Sequence, residues 1–232
     1  MSRPDIVSAD GGPFGGYLAL PAGDGPAPAV IVILEIRGVN ANLRAICDGY
    51  AAQGYLAVAP DLLWRIQPDL DYDPDTPAGW DLAMKIHAGF DEAKAVDDLK
   101  ATLAWIRRHP RSNGIVGTVG YCLGGRLAFM MATQSDADAN ISYYGVGLDG
   151  LLGDLGKVTK PLVIHIADKD AFFPPEGRAA VVAATKGNSH AVSYVYPNAD
   201  HAFARVNGIH WDGRSATIAN GRGAEPLVKA LG

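Results

Sequence analysis

Cysteine is scarce in this chain. Among 232 residues there are two, Cys47 and Cys122, far apart and without a C-x-x-C pair. That excludes a disulfide scaffold or a thiol-built zinc cluster and fits a reducing cytoplasm. Positive charge is in the minority as well, with 20 Lys and Arg against 25 Asp and Glu and a formal charge of −5. Such a balance argues against nucleic acid or an anionic membrane surface as a partner. The longest apolar run, near Ala27 to Leu34, is too short to span a bilayer. Met1-Ser2-Arg3-Pro4-Asp5 has no basic start leading into an apolar core, so no signal peptide is expected. Beyond Asp168-x-Asp170 and His201 no carboxylate or histidine falls at metal-ligand spacing, so neither a metal nor another cofactor is expected. Coiled-coil and exposed-strand signals are missing too, and a monomer is expected. No internal repeat or linker interrupts the chain, which reads as a single domain over 1–232.

What is present is an alternation of apolar runs and helical stripes. Residues 5–20, with Gly11-Gly12 and Gly15-Gly16, predict a hairpin. Ala29 to Leu34 predicts a strand buried on both faces. Asn40 is placed to cap a helix over 41–53, whose stripe makes Cys47 a core residue, and Gly54 ends it. Further strands are expected at 55–60, 115–119, 141–144, 161–167 and 191–196. Helices are expected at 90–108, after 125, at 175–186 and at 212–231. Residues 65–80 read as a loop or lid and 145–157 as a loop. The pattern is that of an α/β protein, a mostly parallel central sheet with helices on both faces. In such sheets ligands bind beyond the carboxyl ends of the strands. Glu35, Cys122, Asp170 and His201 all stand at such ends.

The sharpest motif is Gly120-Tyr121-Cys122-Leu123-Gly124-Gly125, between the strand at 115–119 and a helix. It is G-x-S-x-G with cysteine as the central residue. The turn lifts the thiol beyond the sheet, and the helix N-terminus beneath it favours the thiolate. On its own the motif could equally be a small buried cysteine in a glycine-rich turn. Nucleophilic acyl transfer also needs a base and a group that orients the base. The chain order Cys122, Asp170, His201 supplies both, although Asp168 and Asp200 compete as the acid. His165 falls mid-strand and reads as core, whereas His87, His109, His190 and His210 read as surface groups. Glu35 closes an apolar strand, an expensive place for a carboxylate without a partner. It reads either as a salt bridge to Arg37 or as a control on the thiol's protonation. An oxyanion hole would use the amides of Leu123 and Ile36.

Five segments together resemble the dienelactone hydrolase (carboxymethylenebutenolidase) family of the α/β-hydrolase superfamily. They are Glu35-Ile36-Arg37-Gly38-Val39-Asn40, Gly120 to Gly125, Tyr143-Tyr144-Gly145-Val146-Gly147, Asp170-Ala171-Phe172-Phe173-Pro174 and His201-Ala202-Phe203-Ala204-Arg205. The resemblance implies a Cys122–His201–Asp170 triad and a Glu35 that takes the thiol proton when substrate arrives. It implies small cyclic enol-lactones bearing a carboxylate, opened to a maleylacetate-type acid, with Tyr144 among the substrate-binding residues. Family enzymes hold that carboxylate with two arginines. One corresponds to Arg205; the other falls ten residues before Phe90, at Trp80. Losing one charge-assisted contact costs about 1.5–3 kcal/mol of binding. Arg65, Lys85 or Arg37 are the cations that could compensate. A short-chain carboxylesterase, or an idle family member that only binds, are the alternatives.

Overall fold

The computed structural model describes residues 4–70, 72 and 76–231. It contains two compact units, residues 1–116 and 117–232. The N-terminal residues 1–3 and residues 71 and 73–75 of the expected loop lie outside the described residues.

In the first unit β1 (Ile6–Val7) and β2 (Pro13–Phe14) pair antiparallel, with Ile6 opposite Phe14. This is the hairpin that the glycines predict. β3 (Gly16–Ala19) then leaves it for a different ladder. β4 (Ala27–Ile33) is buried at every residue but Pro28, as a wholly apolar run requires. α1 (Ala41–Ala52) starts where Asn40 Oδ1 accepts the Leu43 amide at 3.0 Å, so the cap is the one expected. Cys47 is buried on its inner face, and burial pushes the thiol pKa up. β5 (Leu56–Pro60) lies between β3, to which it is antiparallel, and β4, to which it is parallel.

Two expectations need correction here. Residues 77–80 are not loop but the start of α2 (Pro77–Gly89). Thr76 Oγ1 caps it by accepting the Gly79 amide at 3.1 Å, and Pro77 takes the first helical position, where a missing N–H costs nothing. Its buried stripe is Gly79, Ala83 and Ile86, and with a single large apolar side chain among the three no helical period stands out. Phe90 does not open the long helix; it closes α2. α3 (Glu92–Arg107) begins after Asp91, whose side chain accepts the Lys94 amide.

β6 (Ser112–Tyr121) begins in the first unit and carries on into the second. There β7 (Ala139–Tyr143), β8 (Leu162–Ala167) and β9 (Ala191–Tyr196) follow it in spatial order, each parallel to the one before. All residues of β7 and β8 are buried, in keeping with parallel strands. α4 (Leu123–Gln134), α5 (Pro175–Thr185) and α6 (Gly213–Leu231) alternate with them. The expected loop at 145–157 is mostly a 3-10 helix over Leu148–Lys157. With three residues per turn, Gly150, Gly153 and Gly156 fall on one face, while Leu148 and Leu155 are buried in the core around Phe129 and Ile164. Glycine at every third position hid a regular element.

Candidate active site

The second unit brings four of the expected residues to the carboxyl ends of successive parallel strands. Cys122 follows β6, Tyr144 follows β7, Asp170 lies three residues beyond β8, and His201 lies five beyond β9. Cys122 has φ 57° and ψ −116°, a backbone state that side chains other than glycine rarely take. The turn is possible because Gly120 has no Cβ: one there would lie 1.8 Å from the Gly124 carbonyl oxygen. Cys122 is the residue before α4 and its amide bonds the Tyr143 carbonyl at 3.0 Å. Leu123 opens the helix, and amides in a first turn have no intrahelical acceptor. Unlike Cys47, the Cys122 thiol is partly exposed.

His201 is buried and held at two points. Its Nδ1 lies 2.8 Å from Asp170 Oδ2, and its backbone amide donates to Asp200 Oδ1 at 2.7 Å. The first contact leaves Nε2 for the Cys122 sulfur, with which the ring hydrogen-bonds. Burial pulls the imidazole pKa down. The electrostatic interaction with Cys122, with the hydrogen bonds to Asp170 and Cys122, outweighs it and raises the pKa to about 10. Of the three competing aspartates, Asp170 is the one that meets the ring. Asp200 instead binds the His201 amide and, at 3.3 Å, the exposed His210.

Aromatic rings wall the histidine. Tyr144 is buried with a positive φ of 38° and stands edge-on to His201, centroids 5.3 Å apart. Phe172 lies 4.9 Å from the same ring at 75°, while 54% exposed. Phe172 was not legible as a site residue; its only signal is its place two residues after Asp170. Arg205 is half-buried four residues beyond His201. His165 sits mid-strand in β8, fully buried, in accord with its core reading.

Glu35, Ile36, Arg37 and Trp80 belong to the first unit. Glu35 is buried just past β4, and Arg37 Nε lies 3.9 Å from its Oε2, beyond hydrogen-bond range. Tyr72 donates its hydroxyl to the Ile36 carbonyl at 2.9 Å. Trp80 rides on the first turn of α2 and is 44% exposed. Arg65 is engaged elsewhere: it pairs with the buried Asp98, with Asp10 at 2.9 Å and with Ser8 Oγ at 2.8 Å. That removes it as a ready substitute for an anchoring arginine. Among the described residues no cluster of three or more His, Cys, Asp or Glu could hold a metal ion. Nor, among them, is any helix long and apolar enough to cross a membrane.

Comparison with known proteins identifies the family. The family model for the dienelactone hydrolase family matches residues 14–225. A protein of Azospirillum brasilense provisionally named carboxymethylenebutenolidase is 48% identical over 235 residues, covering 100% of both chains. The carboxymethylenebutenolidase of Pseudomonas putida is 38% identical over 217 residues, covering 94% of this chain and 92% of its own. A crystal structure from Klebsiella pneumoniae, provisionally named a dienelactone hydrolase, superimposes with a TM-score of 0.85 at 28% identity. It covers 99% of this chain and 97% of its own.

Proposed function

The chain belongs to the dienelactone hydrolase family and is a hydrolase of ester or lactone bonds, and we propose that it opens a small anionic lactone through a thioester on Cys122. The observation that carries this reading is a partly exposed cysteine, at a strained turn ahead of a helix, in contact with a histidine that an aspartate already holds. The thiolate attacks the lactone carbonyl, and the oxyanion takes hydrogen bonds from the Leu123 and Ile36 amides. The ring C–O bond breaks, and the leaving oxygen receives the proton of the His201 imidazolium. The neutral imidazole, oriented by Asp170, then removes a proton from water. The resulting hydroxide displaces the thiolate from the thioester, which restores the thiolate and imidazolium from which the attack began. Glu35 is the proposed acceptor of the thiol proton when substrate arrives, which forms the attacking thiolate, and it returns that proton to the sulfur once product leaves; the role rests on the E-I-x-G-V-N motif. Arg205 and Tyr144 are proposed to bind the substrate, Arg205 through its carboxylate.

The proposed substrate class follows the name of the Pseudomonas putida relative, a carboxymethylenebutenolidase; the proposed product, a maleylacetate-type acid, rests on the resemblance of the motifs alone. A second reading, a short-chain carboxylesterase, is favoured by Trp80 in place of a second arginine and by Arg65 being engaged with Asp98 and Asp10. Two free cysteines support the expected cytoplasmic setting. A single domain over 1–232 is supported by one family model running through both units.

The test is hydrolysis of a panel of anionic lactones and neutral p-nitrophenyl esters by the wild type and by Cys122→Ala. Loss of activity by roughly 10⁴- to 10⁶-fold is expected, with anionic lactones preferred. Unchanged turnover would sink the cysteine mechanism, and a preference for neutral esters would select the esterase. In the same series Glu35→Gln is expected to change the pH profile of Cys122 alkylation by iodoacetamide; an identical profile removes Glu35 from the mechanism.

A further inference from the structure

The triad's acid sits on a short turn, and one side chain outside the motif grips that turn from beneath. Arg178 is the fourth residue of α5 and half-buried. Its Nη1 donates to the carbonyl of Asp170 at 2.9 Å and also to the carbonyl of Phe173. One cationic nitrogen therefore bridges both ends of the turn that carries Asp170. Two hydrogen bonds within the turn add to this grip. Asp170 Oδ1 accepts the Phe172 amide at 2.9 Å, while the Phe173 amide reaches the Asp170 carbonyl only at 3.4 Å. The Phe173 ring is buried in the core cluster and lies so close to α5 that a Cβ on Gly177 would come 2.7 Å from it.

From this arrangement we propose that Arg178 is a positioning residue for the hydrolysis, holding Asp170 at the angle from which its carboxylate orients His201. The proposal rests on the reading of Asp170 as the acid of the triad. Two carbonyl oxygens converge on the guanidinium, and without a donor between them they repel. The turn then opens. Because Oδ1 is tied to the Phe172 amide inside that turn, Oδ2 moves with it, and the 2.8 Å contact to His201 Nδ1 is the first to lengthen. Arginine suits the task because its charge strengthens each bond to a neutral carbonyl and its planar fork is preorganised. The Phe173 ring anchors the far end of the turn, so the change is expected to be an adjustment of the carboxylate and not a loss of the fold.

Arg178→Met keeps the length and removes the donors; Arg178→Lys restores a single cationic donor. For Arg178→Met kcat is expected to fall about 10- to 100-fold, the scale of an ångström misplacement, with KM within about twofold. Arg178→Lys should fall between Met and wild type. The downfield proton resonance of His201 Nδ1 should move upfield or vanish in Arg178→Met and return in part in Arg178→Lys. In an Asp170→Asn background the Arg178 effect on kcat should disappear, since the carboxylate it aims is gone. An unshifted resonance in folded Arg178→Met overturns the proposal. So does a loss that multiplies independently with Asp170→Asn, or an effect confined to KM. If Arg178→Met does not fold, the resonance and kcat of Arg178→Lys decide by the same criteria. Failure of the triad reading looks different: Asp170→Asn alone would then leave kcat unchanged while Arg178→Met still displaced the resonance.

Discussion

Two histidines of the second unit are buried to nearly the same degree and are driven in opposite directions. His165, in the middle of β8, has its pKa lowered to about 3, by burial first and by the Arg222 cation second. Its Nδ1 meets the hydroxyl of Tyr196 at 2.8 Å, and its Nε2 has no hydrogen-bond partner among the described residues. His201, in the loop after β9, has its pKa raised to about 10, because the electrostatic interaction with Cys122 and the bonds to Asp170 and Cys122 overcome the same burial penalty. Burial alone always favours the neutral ring. The direction in which a buried histidine is driven is thus decided by the sign of the charge facing it. The strand middle supplies phenols and a cation, whereas the strand ends supply a thiol and a carboxylate.

Three variants press on that contrast. Asp170→Asn has the largest expected effect. The loss of an orienting carboxylate is worth about 10²- to 10⁴-fold in kcat, and the His201 pKa should drop below its present value of about 10. A titration of His201 by NMR that still ends near that value would show that Cys122 alone sustains the shift. The second concerns stability. A raised folded pKa means that His201 contributes fully below its ordinary value of 6.5, and that this contribution is lost as pH rises through about 10. His165 behaves in the opposite sense: its contribution is present above 6.5 and drains away as pH falls towards about 3. Replacing His165 with Phe should therefore flatten the acid limb of a denaturation series between pH 4 and 6 without touching the alkaline limb. An unchanged acid limb would assign it to other groups. The smallest effect belongs to Tyr196→Phe, which removes the hydroxyl at His165 Nδ1 and should cost about 1 kcal/mol, read from urea midpoints at neutral pH. No loss would mean that solvent or a neighbour replaces the bond.

The sequence carried the strands and the chemistry unevenly. β4, β5, β8 and the Asn40 cap were legible because long β-branched runs and a capping side chain have few alternative uses. α2 and the 3-10 helix at Leu148–Lys157 were not, since the buried face of α2 is glycine, alanine and one isoleucine and that of the 3-10 helix two widely spaced leucines. At the proposed site, the elbow is marked by its glycines and the proposed triad by chain order. The choice of Asp170 over Asp168 and Asp200 came from the family resemblance and not from spacing; the 2.8 Å contact to His201 is a matter of how two loops fold back, which local pattern does not encode. The same holds for Phe172 against the His201 ring and for Arg178 beneath the turn. Such residues act through geometry contributed by segments distant in sequence, and a one-dimensional reading has no purchase on them.

The left-handed backbone at Cys122 has a consequence for how such a protein can be improved. A side chain held there costs about 1–3 kcal/mol that glycine would not. Any screen that rewards thermal resistance alone will therefore drift towards losing this cysteine, and will report the loss as a gain. Stabilised lineages of this chain must find their improvements elsewhere, with turnover kept in the selection from the first round.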